Sequence, residues 1–168
     1  KYARILAEGN CDEVSMEELL GYIKIAADDG NCNLMIKYAS ILYDGKLVGV
    51  NKTEAAKYYK MAADKGSIEG MNKYASMLFD GDGIWLNKNE ALYYFKKSAE
   101  TEDLHSMVNY ATILGNKFEP YYDNEVAIHY YKLAIKKGSP EAMYKYANML
   151  YYGDGIDQDK KEAAKYYK

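Results

Sequence analysis

The chain has 168 residues and a formal net charge of −3, and charges of both signs are mixed along its length. It lacks the basic field that neutralises nucleic-acid phosphates, so we expect no nucleic-acid partner. It also lacks a run of about 18 apolar residues, so we expect no direct membrane insertion.

A repeat is the first feature in chain order. The sequence KYAS at Lys37–Ser40 recurs at Lys73–Ser76, 36 residues later. Tyr-Ala pairs recur with the same 36-residue period and begin at Tyr2, Tyr38, Tyr74, Tyr110 and Tyr146. A fixed period between about 20 and 50 residues is typical of stacked supersecondary units. We therefore expect one solenoid over residues 1–168, belonging to a longer chain. Its predicted units are 1–30 (partial), 31–66, 67–102, 103–138 and 139–168 (partial).

Each full unit is predicted to begin with a helix, called helix A. We align the repeats in rows of 36 residues, so that equivalent positions form columns. Gly30, Gly66 and Gly138 share the column where a left-handed residue would end the previous helix, and Glu102 is the exception. The next column holds the predicted N-caps Asn31, Ser67, Asp103 and Ser139. Helix A is then predicted from about Cys32 to Tyr43. Its apolar stripe has the spacing i, i+3, i+4, i+7 and consists of Met35, Tyr38, Ala39, Leu42 and their copies.

A second helix, helix B, is predicted to complete each unit. Its N-caps form the column Ser15, Asn51, Asn87, Asp123 and Asp159. A glutamate stands three residues later in every row except that of Val126, which predicts a capping box that satisfies two backbone donors reciprocally. Helix B alternates alanine with tyrosine, as in Ala55, Tyr58, Tyr59 and Ala62. We expect the small residues to allow close packing while the tyrosine rings fill gaps and keep their hydroxyls at a wet edge.

The loop between helices A and B contains glycine in three rows, as in Asp80-Gly81-Asp82-Gly83. This Asp-Gly sequence suggests a calcium-binding loop, but the twelve-residue ligand spacing with its terminal glutamate is missing. We therefore interpret the sequence as a turn.

The fourth row has a different loop, Gly115–Asp123, which reads GNKFEPYYD. Phe118, Tyr121 and Tyr122 lie in this loop, whose counterparts in the other rows contain glycines, and Trp85 lies in the neighbouring loop. These aromatic residues are candidates for contact with a partner, and they are equally suited to plug the space of the missing glycines. The sequence leaves both interpretations open.

Residues 142–167 resemble the Sel1-like repeat, and the resemblance covers the whole chain. The resemblance is carried by Ala142 to Ala147, Gly153-Asp154-Gly155-Ile156, Asp159, Ala163, Tyr166 and Tyr167, and by the close of helix B at Ala62-Ala63-Asp64-Lys65-Gly66. The family usually has Leu-Gly where this sequence has Tyr-Ala. The resemblance implies an all-α fold, a right-handed α-solenoid of antiparallel helix pairs similar to tetratricopeptide proteins, and an adaptor role in protein complexes.

If helix A lines the concave side, as the resemblance implies, a polar ladder is exposed there. The position-37 column is lysine in four of five rows, and the position-40 column holds Arg4 and the small polar residues Ser40, Ser76, Thr112 and Asn148. Such donors suit an extended peptide with acidic side chains or a free carboxylate, although any single position is also typical of a solvated helix face. The predicted peptide-binding residues are Lys37, Ser40, Lys73, Ser76, Asn109, Thr112, Lys145 and Asn148.

Neither catalysis nor metal binding is supported by the sequence. His105 and His129 are out of register and lack a neighbouring nucleophile motif. In other rows the column of His105 holds residue types that can bind a metal, but stacked repeats would separate these side chains by about 10 Å. Cys11 and Cys32 have no counterparts 36 residues later, so we interpret them as free thiols, which favour a reducing, cytoplasmic compartment.

The sequence therefore predicts a non-enzymatic scaffold or adaptor that binds a peptide or protein segment along helix A, with no cofactor. The alternative, by family analogy, is a regulatory or targeting segment of a larger enzyme such as a protein kinase. Because end repeats expose their packing faces, self-association is a further expectation.

Overall fold

A computed structural model describes residues 15–45 and 47–167. Within those ranges the secondary structure is entirely helical. The helices are α1 (Met16–Asp28), α2 (Cys32–Asp44), α3 (Lys52–Asp64), α4 (Ile68–Asp80), α5 (Lys88–Ala99), α6 (Leu104–Leu114), α7 (Asn124–Lys136), α8 (Pro140–Tyr152) and α9 (Lys160–Tyr166). The even-numbered helices are the predicted helices A and the odd-numbered ones are the predicted helices B. Tyr2 and Cys11 lie outside the described residues.

The chain divides into two compact units, and the boundary falls inside α5, between Ala91 and Leu92. In the first unit α1 packs on α2, α2 on α3 and α3 on α4. In the second unit α6 packs on α7, α7 on α8 and α8 on α9, and α6 also contacts α8. Successive helices thus cover one another's apolar faces, because a single helix pair buries too little surface to be stable alone.

The apolar stripe of helix A is confirmed as core. Met35, Tyr38, Ala39 and Leu42 are all buried, and so are their copies in α4, α6 and α8, except the half-buried Met143. Each buried large apolar side chain contributes roughly 1.5 to 3 kcal/mol. Repetition of the stripe in every row therefore supplies the stability that one row lacks.

The tyrosines of helix B pack edge-to-face against those of helix A. The ring centroids of Tyr38 and Tyr58 lie 4.8 Å apart with an interplanar angle of 83°. The same pair recurs as Tyr110 with Tyr130 at 5.2 Å and as Tyr146 with Tyr166 at 5.4 Å. T-shaped pairs of this kind are worth about 0.5–1.5 kcal/mol beyond the area they bury.

The expectation that the helix B hydroxyls stay at a wet edge is wrong for Tyr58 and Tyr59, which are each 2% exposed. The Tyr58 hydroxyl donates to the Asp28 carboxylate at 2.7 Å. The Tyr59 hydroxyl forms a hydrogen bond of 2.9 Å with the Ser40 hydroxyl. Both hydroxyls take protein partners because an unpaired buried hydroxyl costs stability.

The predicted N-caps are confirmed. Asn31, Ser67, Asp103 and Ser139 each accept from the backbone N–H three residues later, at 2.9–3.2 Å. In the helix B column Ser15, Asn51, Asn87, Asp123 and Asp159 do the same.

The capping box is present at Ser15 but takes another form at Asn51 and Asn87. There the backbone N–H of the cap donates to the backbone carbonyl of the last leucine in the preceding helix A. The Asn51 N–H donates to the Leu42 carbonyl at 2.8 Å, and the Asn87 N–H donates to the Leu78 carbonyl at 2.9 Å. Because that donor is occupied, the glutamate accepts from the asparagine side-chain amide instead. The predicted reciprocal bond is thus replaced by one that closes the A–B loop onto helix A.

The predicted left-handed residue before each helix A is confirmed. Glu102, the residue of this column that is not glycine, also adopts the left-handed conformation. Gly30, Gly66 and Gly138 have φ values of +101°, +91° and +87°, and Glu102 adopts +60° in the same column. Glu102 keeps this conformation despite its side chain, and its carboxylate pairs with Lys137 at 2.6 Å.

Helix A of the fourth row ends two residues early. The other helices A end at a left-handed glycine, Gly45, Gly81 or Gly153, whereas that column holds Lys117 in the fourth row. Helix α6 has 11 residues where α4 has 13, and its loop is longer by the same amount. A left-handed cap is unfavourable for lysine, so the helix stops at Leu114 and the period is kept.

Candidate functional site

A cavity in the first unit brings together three of the predicted ladder residues. Ser40 on α2 and Lys73 and Ser76 on α4 line a space of about 270 Å³. The 36-residue period places their helices one repeat apart, so the cavity lies between successive helices A. The remaining wall consists of Tyr43, Asp44, Tyr59, Met77, Asp80 and Asp82.

Hydrogen bonds hold two of the side chains that line the cavity, Ser40 and Ser76. Ser40 is held by the Tyr59 hydroxyl, and burial raises the pKa of Tyr59 above its ordinary value of 10.0. Ser76 is exposed, and its hydroxyl donates to the carbonyl of Asn72 at 3.0 Å. Lys73 is exposed as well, so its ammonium group can reach a ligand above the cavity.

Asp82 joins the cavity wall to the preceding repeat. The Lys52 ammonium donates to one carboxylate oxygen at 2.6 Å and the Tyr43 hydroxyl donates to the other at 2.6 Å. Lys52 also lies 4.9 Å from the centroid of the Tyr43 ring. The hydrogen bond from Lys52, followed by that from Tyr43, holds the pKa of Asp82 below its ordinary 3.8. These bonds tie the A–B loop to the preceding repeat.

Asp44, Asp80 and Asp82 were missed as site residues by the sequence reasoning. Asp44 and Asp80 are the last residues of their helices and each precedes a left-handed glycine. The signal was present as the repeated Asp-Gly of the loops, but it was interpreted as turn chemistry alone. Three aspartates line the same cavity as Lys73, so the cavity is not the purely cationic ladder expected for an acidic ligand.

Lys37 is exposed and does not contribute to the cavity wall. The other ladder residues lie in the second unit. Thr112 repeats the hydroxyl pair of Ser40, since its Oγ1 lies 3.0 Å from the Tyr131 hydroxyl and donates to the Val108 carbonyl at 2.7 Å.

Asn148 accepts from the Tyr167 hydroxyl at 2.6 Å. Lys145 lies 4.0 Å from Glu141, and Asn109 is half-buried. The position-40 column is thus tied to helix B in three rows. Ser76 belongs to the row in which helix B carries Phe95 in place of the tyrosine.

The aromatic loop residues differ in exposure. Trp85 is 93% exposed, Phe118 is 86% exposed, Tyr122 is 40% exposed and Tyr121 is half-buried. The Phe118 ring is open to solvent, with the Lys117 ammonium 5.6 Å from its centroid. Phe118 and Trp85 therefore have the exposure that contact with a partner requires, whereas Tyr121 is closer to a filling role.

His105 and His129 are both exposed, and His129 packs edge-to-face on Tyr130. Across residues 15–45 and 47–167, no three His, Cys, Asp or Glu side chains come together as metal ligands would. In that same part of the chain no helix combines the length and apolarity needed to cross a bilayer.

Comparison with known proteins identifies the repeat. The Sel1 repeat family model matches residues 34–67, 68–101, 106–139 and 140–168. No curated protein matches the sequence. The solved structure of a Sel1 repeat protein from Oxalobacter formigenes is similar over 98% of this chain and 68% of its own, with a TM-score of 0.85 and 23% identity.

A second solved structure is that of a protective antigen present in uropathogenic Escherichia coli strains, which displays an SLR fold. It is similar over 88% of this chain, with a TM-score of 0.79 and 22% identity, and this chain spans 32% of its length. Both likenesses show the all-α solenoid fold of stacked helix pairs. Since the family model matches well over half of its residues, the chain belongs to the Sel1 repeat family.

Proposed function

We propose that this chain is a non-enzymatic interaction module that binds a peptide or protein segment along the helix-A face of its repeats. Sel1 repeats generally mediate protein–protein interaction, and proteins built from them are typically non-catalytic scaffolds. The observation that carries the proposal is the cavity between α2 and α4, where Ser40, Lys73 and Ser76 line one space. Three of the eight predicted ladder residues thus line one partly polar cavity, which supports the proposal.

The chemistry of the cavity suggests how a segment would bind. The Lys73 ammonium suits a backbone carbonyl or a carboxylate of the ligand. Asp44 and Asp80, which line the same cavity, suit a side chain that carries hydrogen-bond donors. We therefore change the expected ligand from an acidic segment to one that presents a basic or amide side chain to the cavity, with its carbonyl groups towards Lys73.

Binding of peptide libraries tests the proposal. An array of ten-residue peptides with one defined central residue and mixed flanks is probed with the wild-type chain and with a triple variant carrying Lys37→Ser, Lys73→Ser and Lys145→Ser. A matched triple variant loses the same charge at exposed lysines away from helix A: Lys65→Ser, Lys136→Ser and Lys161→Ser. We expect the first variant to lose the preferred peptides and the second to keep them. Indistinguishable profiles for all three proteins would remove the helix-A site.

Single substitutions separate the cavity from the remainder of the face. Lys73→Ser and Ser76→Leu alter the cavity, and Lys37→Ser alters the same helix face outside it. If the cavity holds the basic side chain, Ser76→Leu abolishes the selection of Lys, Arg, Asn and Gln at the defined position, while Lys37→Ser leaves that selection unchanged. Selection of Asp and Glu instead would restore the ligand expected from the sequence.

A further inference from the structure

A second groove in the first unit is distinct in its lining from the helix-A cavity. It has a volume of about 470 Å³, within the range of ligand-binding clefts. One wall is the face of α3 that carries Thr53, Ala56, Lys57 and Lys60, which are spaced i, i+3, i+4 and i+7. The opposite side is the apolar run of the A–B loop, Ile84, Trp85 and Leu86, with Leu78 of α4.

Trp85 is the most exposed large apolar side chain of the described residues, at 93%. Leu86 beside it is 59% exposed, so two large apolar side chains stand together in solvent. Trp85 also borders an adjacent depression of about 380 Å³ lined by Thr53, Gly81 and Gly83. Exposed aromatic anchors beside a cleft are typical of the centre of an interface.

The loop that carries Trp85 is held in place at several points. The Thr53 hydroxyl donates to the Gly83 carbonyl at 2.8 Å, and Asp82 is bound by Lys52 and Tyr43. On the far side of Trp85, the Asn87 backbone N–H donates to the Leu78 carbonyl at 2.9 Å. The tryptophan is therefore presented by an ordered loop, and preorganisation of this kind lowers the entropy lost on binding.

The charges of the groove indicate the ligand. Lys60 is already paired with Glu90 at 3.1 Å, and Glu90 also accepts from the Tyr74 hydroxyl at 3.2 Å. Lys57, one turn away on the same face, is exposed and takes part in none of the ion pairs formed by the described residues. The groove thus offers an apolar surface and one available cation, which is complementary to an apolar side chain next to a carboxylate.

We propose that this groove binds a partner-protein segment in which a large apolar or aromatic side chain lies next to an aspartate or glutamate. The apolar side chain packs on Trp85, Ile84 and Leu86, and the carboxylate pairs with Lys57. This site uses α3, the loop and Leu78 of α4 rather than the ladder positions of helix A, so it goes beyond the proposed function and does not depend on it.

Trp85 makes the experiment direct, because it is the single tryptophan of the chain. The probes are ten-residue peptides with mixed flanks and one of four central pairs: Phe-Glu, Phe-Lys, Ala-Glu or Ala-Lys. The emission of Trp85 and its quenching by acrylamide are followed during titration. We expect a blue shift and protection from quenching with Phe-Glu peptides, and binding weaker by about tenfold or more with the other three sets.

Two variants locate the binding. Lys57→Glu should reverse the preference from Phe-Glu to Phe-Lys, while Lys136→Glu, a charge reversal at an exposed lysine of α7, should change nothing. Trp85→Ala should abolish binding of fluorescein-labelled Phe-Glu peptide measured by anisotropy. Its thermal unfolding should match that of the wild type, because the removed side chain makes little contact in the free chain.

Three results would overturn the proposal. The first is an unchanged Trp85 spectrum with every peptide set while the far-ultraviolet circular dichroism stays helical. The second is a spectrum that depends on protein concentration without peptide, since the occupant would then be a second copy of the chain. The third is a Phe-Glu preference that survives Lys57→Glu. None of these results bears on the helix-A ladder, whose failure is detected separately by its lysine-to-serine variants.

Discussion

The hydroxyls of Ser40 and Tyr59 lie 2.9 Å apart, and those of Thr112 and Tyr131 lie 3.0 Å apart at the same sequence separation of 19 residues. One small hydroxyl on helix A therefore anchors the second tyrosine of the following helix B in both units. The first pair lines the helix-A cavity of the first unit, and the second pair lies in the second unit.

Removing this hydrogen bond should reduce stability modestly. Tyr59→Phe and Ser40→Ala are each expected to lower the free energy of unfolding by about 0.5–1.5 kcal/mol, because each leaves a buried or half-buried hydroxyl partner unsatisfied. Urea unfolding of the two single variants and the double variant gives the coupling energy. A coupling close to zero would mean that the hydroxyls do not stabilise each other. Phe95, in the same column, indicates that the ring alone can be accommodated.

Substitution of two helical glycines, Gly21 and Gly70, by alanine should change the stability of the chain in opposite directions. Gly21 on α1 has nothing within 4 Å of an added Cβ, so Gly21→Ala should stabilise the chain by about 0.5–1 kcal/mol through helix propensity. At Gly70 on α4 the added Cβ would lie 2.8 Å from the Ala63 backbone nitrogen and 2.9 Å from the Ala62 Cβ. We expect Gly70→Ala to be destabilising despite the same gain in propensity.

Thermal and urea unfolding of the Gly21→Ala and Gly70→Ala variants give the two signs. The contrast tests whether the close approach of α3 and α4 requires glycine at position 70. Stabilisation by both substitutions would show that these helices can move apart at no cost.

Glu102 is expected to carry backbone strain. It has φ = +60°, a conformation that costs roughly 1–2 kcal/mol for a residue with a side chain. Its ion pair with Lys137 complicates a direct substitution, so Glu102→Gly is best made in a Lys137→Ala background, where that pair is already absent. There we expect stabilisation of about 0.5–1 kcal/mol, after the larger entropy of glycine in the unfolded chain is subtracted.

The reverse substitution provides the control for Glu102. Gly66 occupies the same column with φ = +91°, and an added Cβ meets nothing within 4 Å. Gly66→Ala should therefore destabilise by about 1 kcal/mol through backbone strain alone. Chemical unfolding measures both changes, and equal stabilities before and after the Glu102 substitution would contradict the assigned strain.

The tyrosine layer should make the fold sensitive to alkali. Burial is the largest cause that raises the pKa of Tyr38, Tyr59, Tyr110 and Tyr131 above the ordinary 10.0. Burial also raises the pKa of Tyr58, followed by its hydrogen bond to Asp28. A raised pKa in the folded state means that the neutral form is favoured by folding. Its stabilising contribution is complete below pH 10.0 and is lost as the pH rises above that value.

Two measurements check the alkaline transition. We expect unfolding followed by circular dichroism to coincide with a cooperative rise in phenolate absorbance above pH 10.0. If all phenolate absorbance appears before any loss of helix, the buried tyrosines do not depend on the fold for their pKa.

Local features of the fold were predicted well because each depends on a few neighbouring residues. The N-caps at Ser67 and Asp103, the stripe of Met35 and the left-handed column of Gly66 all act within one turn of a helix. The altered bonds of Asn51 and Asn87 were not predicted. They depend on how the A–B loop returns to Leu42 and Leu78, which the capping-box pattern does not contain.

The candidate sites were predicted less completely. The period correctly placed Ser40 and Ser76 in one column, and both line the cavity. It did not reveal that Asp80 and Asp82 line the same cavity as Lys73, because the Asp-Gly pairs were interpreted as turns. Trp85 was named as a contact residue, but its groove with Lys57 depends on side chains of three helices and a loop.

The sequence by itself determined the 36-residue period, the alternation of two helices and the residues that form the core, because caps and apolar stripes are short-range patterns repeated in every row. Only the tertiary structure decided which carboxylates share a cavity with Lys73, which hydroxyl satisfies Tyr59 and how far Trp85 extends into solvent. These depend on distances between side chains of successive repeats, and such distances are set by the packing of one helix pair on the next.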